Sequence, residues 1–200
     1  MGLFAFGKKK NGVEYLVVGL GNPGKEYENT RHNAGFLAVD YILGKRNKAA
    51  ERLKYSALTA QVEINGKNVL FMKPQTFMNL SGNAVSQGAA FYKIPPEKII
   101  VISDDVSFNC GVMRIKRQGS HGGHNGLKSI SASIGSTAFP RIKLGVGVKP
   151  NPDYDMADWV LSKFTKSELE ALSANFDKVN SALELIIDGE MDKAMNLFNR

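Results

Sequence analysis

The sequence predicts an α/β fold in a single domain, with a mixed, mainly parallel sheet flanked by helices. Three observations carry this. Short apolar runs ending at turn residues alternate with segments of helical period along most of the chain. One Asn65-Gly66 pair marks a single hairpin. The 200 residues hold no internal repeat, low-complexity tract or composition break that would separate a second core. Residues 1 to 13 read as a short extension and residues 14 to 200 as the domain.

Each element has a local reason. Tyr15 to Leu20 is β-branched in its middle and stops at glycines, as a buried strand does. Asn33 to Leu43 places Phe36, Leu37, Val39 and Leu43 at helical spacing, with Gly44 behind. Thr59 to Ile64 and Val69 to Lys73 flank the hairpin turn. Ser81 to Tyr92 reads as a helix that stops before Pro95 and Pro96. Ile99 to Ile102 is a second buried strand, and Val112 to Lys116 alternates like a half-exposed one. Leu127 to Ile134 is a helix and Ile142 to Val148 a strand. Ser167 to Asp188 carries Leu169, Leu172, Phe176, Val179, Leu183 and Ile186 on one stripe and reads as a single amphipathic helix. A last helix runs from Glu190 to Phe198. Val148 to Asp153 is a loop, with too little chain behind it for a second core.

Lys plus Arg is 26 against 19 Asp plus Glu, a net charge of +7. A polyanionic partner and a merely basic surface both fit that surplus. The lone Cys110 excludes an internal disulfide and a Cys-based zinc site. No apolar run reaches the roughly 18 to 20 residues of a membrane span. The apolar start precedes Lys8, Lys9 and Lys10, the reverse of a secretory signal. Phe6 stands where a myristoylation signal needs Ser or Thr. The expected location is the cytoplasm.

Gly19, Gly21 and Gly24 match a dinucleotide-binding spacing, with Asp40 downstream. Pro23 and the stretch from Lys25 to Asn29 separate the third glycine from the next helix, and Asp40 falls inside that helix. A site-building loop at the end of the first strand is the better reading. His32 lies at the start of the following helix, near that strand's carboxyl end. An isolated histidine is more often structural, but a histidine base needs an orienting group on its other nitrogen. Asp104, at the end of the Ile99 strand with Asp105 beside it, is available on the same rim. Either aspartate could instead serve a turn. Asn79 or Ser81 could cap the next helix. The segment from Gly119 to Gly126 holds His121, His124 and Asn125 among glycines that permit close backbone approach. The two histidines lack a third ligand at zinc spacing, so no metal is expected. No G-x-S-x-G elbow is present and Cys110 has no activating context. A His–Asp pair with several asparagines suits water activation and binding of amides and an oxyanion, hence hydrolysis of an activated acyl group without covalent catalysis.

Val17 to Gly24, Tyr27, Thr30 to Gly35, Lys73 to Gly82, Asp104-Asp105 and Gly122 to Leu127, in this order, resemble the bacterial peptidyl-tRNA hydrolase family. The resemblance runs from about Tyr15 to the C-terminus. It implies hydrolysis of the ester joining peptide to tRNA, without a cofactor, by a monomer that needs no protein partner. It implies His32 as the general base, Asp104 as its orienting carboxylate and Asn22 as the residue separating blocked from free aminoacyl-tRNA. Asn79 and Asn125 become substrate-binding amides, Tyr27 and Phe77 walls where the tRNA end lies, with Met78 in the same groove or in the core. Lys143 stands where the family commonly has arginine and becomes a phosphate contact. Arg114, Lys116, Arg117, Lys128, Arg141 and Lys149 join it as a sequence-independent tRNA-facing set. The chain departs from the family at Ser107 and Asn109, where an acid and a proline are common. A non-catalytic RNA-processing relative and a small-ester hydrolase are the competing classes. Intact His32, Asn22 and Asp104 disfavour the first, and the basic surplus the second.

Overall fold

The computed structural model describes residues 12–46 and 50–199. Seven strands form one sheet: β1 (Tyr15–Gly19), β2 (Arg52–Lys54), β3 (Ala57–Ile64), β4 (Lys67–Pro74), β5 (Ile99–Asp105), β6 (Met113–Lys116) and β7 (Arg141–Gly145). Their spatial order is β2-β3-β4-β1-β5-β7-β6. The central pairings β4–β1, β1–β5 and β5–β7 are parallel. The outer pairings β2–β3, β3–β4 and β7–β6 are antiparallel. The sheet is mixed as expected, but parallel pairing does not predominate. Hairpin-type neighbours extend it on one side and β6 closes it on the other, so only the middle needs helical crossovers.

Alternation along the central strands feeds two cores. Val17, Ile100 and Ile102 face one side, against α1 (Ala34–Lys45), α6 (Phe176–Ile187) and α7 (Met191–Phe198). Leu16, Val18, Ile99 and Val101 face the other, against α2 (Ser81–Tyr92) and α3 (Asn125–Ile134). Both faces of the middle strands are therefore apolar, which explains their continuous hydrophobic runs.

Three features differ from expectation. The segment read as one helix from Ser167 to Asp188 is two, α5 (Lys166–Ser173) and α6. Asn175 caps the end of α5 by donating from Nδ2 to the Ala171 carbonyl at 3.0 Å, and the chain turns there without interrupting the apolar stripe. The short edge strand β2 and the helix α4 (Met156–Leu161) had no periodicity long enough to read. Asp155 starts α4 by accepting from the N–H groups of Ala157 and Asp158 at 2.7 and 3.0 Å. The extension falls on residues outside the described set except for Gly12 and Val13, and Val13 is buried in the α2 core.

Close packing at Gly35 sets the position of the site. A Cβ there would collide with the Ile102 carbonyl and the Leu20 backbone, so only glycine lets α1 begin directly on the β1–β5 junction. The residues just before α1 then sit over the carboxyl ends of both strands.

Candidate active site

Parallel β1 and β5 point to the same rim, β5 running three residues past the Gly19–Ile102 pair to Asp105, and a cleft of about 830 Å³ lies there. Thr30 begins its construction. Its hydroxyl donates to the Tyr27 carbonyl at 2.8 Å and its own carbonyl accepts from Asn33 N–H, shaping a tight 3-10 turn over Arg31–Asn33. His32 lies on that turn and is 8% exposed. Its Nδ1 stands 2.9 and 3.0 Å from the two carboxylate oxygens of Asp104, at the end of β5. Asp104 is 3% exposed and takes a second imidazole contact, His124 Nε2, at 2.9 Å. The other nitrogen of His124 accepts from Gly126 and Leu127 N–H at 3.1 and 3.3 Å, capping α3.

Electrostatics follow from this burial. Desolvation favours a neutral Asp104, but the His32 and His124 imidazoles outweigh it and hold the carboxyl well below the usual range. Burial opposes protonation of His32, yet the charge and hydrogen bond of Asp104 prevail and raise its pKa. With Nδ1–H donating to an anionic Asp104, the free lone pair of His32 is on Nε2.

Asn22 and Asn33 lock one another. Asn33 Oδ1 accepts from Asn22 N–H at 2.8 Å, and Asn33 Nδ2 donates to the Asn22 carbonyl at 3.0 Å. Asn22 Oδ1 accepts from Met78 N–H at 2.8 Å, leaving its Nδ2 as the group offered to the cleft. The Asn22 amide oxygen is thus engaged by the backbone of the 77–79 segment.

Asn22, His32, Phe77, Met78, Asn79, Asp104, Asn125 and Lys143 all line the cleft. Tyr27 stands behind Phe77, edge to face with ring centroids 6.3 Å apart, and supports that wall without lining it. Lys143 pairs with Asp105 at 2.5 Å, and Asp105 also accepts from Ser107 N–H at 2.8 Å. Asp105 thus serves the turn. Arg141 corrects the expected basic set. It is 2% exposed, donates to the Ser120 and Thr137 carbonyls and stacks on Phe139, so it braces the glycine-rich loop instead of facing solvent. Lys149 is tied to the Pro152 and Tyr154 carbonyls, and Arg117 to Asp192. Lys116 and Lys128 are exposed.

Two contributors escaped sequence reasoning. The first is His124, weighed there only as a metal ligand; its link to Asp104 spans twenty residues of sequence. The second is α4, which brings Met156, Ala157, Val160 and Leu161 to the cleft. Arg31 latches it: buried, its guanidinium lies 3.7 Å from the Trp159 ring centroid, donates to the Val146 carbonyl at 2.6 Å and pairs with Glu168 at 2.9 Å. The apolar run behind the Asp155 cap was the available signal.

His121 and His124 do not converge as a pair of ligands: His121 Nδ1 accepts from Gly123 N–H. Ligand-type atoms of His32, Asp104 and His124 do lie within 4.8 Å of one another. However, His124 spends its Nδ1 lone pair on α3, so its Nε2 carries the proton and offers a cation nothing. The dinucleotide spacing also dissolves. A 3-10 turn follows Gly24, and Asp40 pairs with the buried Lys73. No described helix is long and apolar enough to cross a membrane.

The family model described as peptidyl-tRNA hydrolase matches residues 16–200. A peptidyl-tRNA hydrolase of Caldicellulosiruptor bescii is 44% identical over 187 residues, covering 94% of this chain and 97% of the relative. That of Clostridium novyi is 48% identical over 185 residues, covering 92% and 97%. The crystal structure of peptidyl-tRNA hydrolase from Acinetobacter baumannii superposes with a TM-score of 0.86 at 36% identity, covering 93% of this chain and 94% of that one. Sequence and backbone both match over more than nine-tenths of the chain, and the chain belongs to the peptidyl-tRNA hydrolase family.

Proposed function

We propose that this enzyme hydrolyses the ester linking peptide to the terminal ribose of tRNA, using water activated by His32. The observation carrying this reading is the buried Asp104–His32 pair in a cleft that Asn22 also lines, with His32 Nε2 left unengaged by Asp104. Water gives its proton to His32 Nε2 as its oxygen attacks the ester carbon. Asp104 holds the imidazolium that forms. Asn22 Nδ2 donates to the carbonyl oxygen as it becomes an oxyanion. Collapse breaks the bond to the ribose oxygen, which takes the proton from His32, giving a peptide acid and free tRNA.

The remaining lining residues fit substrate binding. Asn79 and Asn125 supply uncharged amides for the peptide, Phe77 backed by Tyr27 a flat wall for the tRNA end. Lys143, with exposed Lys116 and Lys128, supplies charge for phosphates. The test is hydrolysis of N-acetyl-aminoacyl-tRNA beside a simple ester. Wild type is expected to prefer the tRNA ester, and His32→Ala to lose about 10²- to 10⁴-fold in turnover while remaining folded. A folded His32→Ala with wild-type turnover would remove the base from this scheme.

A further inference from the structure

We propose that His124 is a positioning residue for the His32–Asp104 pair, its Nε2–H clamping the Asp104 carboxylate from the N-terminus of α3. This rests on His32 acting as the base. Three elements meet at one carboxylate: the turn before α1 through His32, the end of β5 through Asp104, and the cap of α3 through His124. Capping alone would use only one end of the imidazole. A serine, asparagine or aspartate does that with a shorter side chain. The ring instead spans 3.1 Å to Gly126 N–H on one side and 2.9 Å to Asp104 Oδ1 on the other. It lies tilted against the His32 ring, centroids 5.0 Å apart.

Both contacts fix the proton. Nδ1 accepts from two backbone N–H groups, so the ring N–H is at Nε2 and must donate to Asp104. That second donor has two effects. It stops the carboxylate from rotating away from His32 Nδ1. It also shares the negative charge that would otherwise act on His32 alone. The other charged or titratable groups of the cleft are occupied elsewhere: Asp105 and Lys143 pair with each other, and His121 turns its Nδ1 to Gly123.

Substitution separates clamp from cap. In His124→Asn the side-chain oxygen overlays Nδ1 and keeps the cap, but the amide ends short of Asp104. The midpoint of the acid limb of kcat/KM is expected to move up by about 1 unit, because Asp104 then serves His32 only. The plateau kcat is expected to fall about 10-fold or more through loss of orientation, with KM unchanged because α3 still presents Asn125. His124→Gln, whose amide reaches as far as Nε2, is expected to restore the midpoint. A folded His124→Asn with the wild-type midpoint and kcat would overturn the proposal. Long-range ¹⁵N–¹H NMR on the wild-type protein tests it without any variant. The ring proton is expected on Nε2 of His124, and a proton on Nδ1 would overturn it. Retained turnover in His32→Ala would defeat the base assignment while leaving this tautomer result standing, so the two failures are distinguishable.

Discussion

Asp104→Asn gives the sharpest test of the dyad. The replacement keeps the shape of a buried side chain and an oxygen that can accept from both imidazoles, but removes the charge. Two routes bound the effect. A hydrogen bond to a charged group contributes about 1.5 to 3 kcal/mol. The Coulomb attraction between unit charges about 4 Å apart is about 4 kcal/mol at the effective dielectric of a partly screened site. The imidazolium formed during attack thus loses about 2 to 4 kcal/mol of stabilisation, or about 30- to 900-fold in rate. The pH profile moves in a defined direction. The reaction needs unprotonated His32, so the rate rises with pH through the His32 pKa. In the wild type Asp104 outweighs burial, and the acid-limb midpoint lies above the ordinary histidine value of about 6.5. In Asp104→Asn burial remains without its opponent, and the midpoint falls below that value. The deficit is therefore largest on the plateau and shrinks toward acid. Single-turnover hydrolysis of N-acetyl-aminoacyl-tRNA from pH 5 to 9 reads both quantities. Equal midpoints in wild type and a folded Asp104→Asn would refute the argument.

Three further outcomes follow from particular contacts. Asn22→Asp keeps one oxygen on Met78 N–H and turns the other, charged, into the cleft, so the ratio of kcat/KM for N-acetylated over free aminoacyl-tRNA is expected to fall; an unchanged ratio would place selectivity elsewhere. Lys143→Ala is expected to raise KM and lower the slope of log KM against log salt by about 1, while Arg141→Ala costs about 2 kcal/mol of stability in urea and leaves that slope alone; the opposite pattern would return Arg141 to the tRNA-facing set. Gly35→Ala forces α1 off the β1–β5 junction and is expected to cost about 3 kcal/mol by urea titration, together with loss of turnover as His32 shifts; wild-type stability would contradict the close packing.

The candidate site was legible in part because the chain holds only three histidines and because its loops follow the ends of readable strands. His32 follows the first strand by one loop, and Asp104 ends the strand beside it, so parallel pairing of β1 and β5 suffices to bring them together. Asn22, Phe77 and Asn79 follow the carboxyl ends of the parallel strands β1 and β4, and Asn125 opens α3. The donor–acceptor state of Asn22 was not legible, because it depends on a backbone N–H fifty-six residues away.

By itself the sequence determined the elements with strong period or punctuation: β1, the β3–β4 hairpin at Asn65-Gly66, and α2, whose Ser81–Tyr92 bounds agree at both ends. Those follow from steric preferences and hydrophobic period, which act over neighbouring residues. The elements α1, β5, α3, β7 and α7 also stand within a few residues of their sequence readings, and tertiary structure decided what the local pattern does not carry. The apolar stripe of α5 and α6 is continuous, yet the helix breaks at Ala174 and Asn175, where Gly111 packs closely on the Ala171 carbonyl and the Asn175 side chain. Arg141 has the composition of a phosphate contact and is buried against Phe139. His124 reads as one histidine among glycines until β5 carries Asp104 to it. In each case the deciding partner lies across a turn or on another element. A charge or a hydrogen-bonding group acquires its role from the burial and partners that packing provides, and a single chain position does not carry that information.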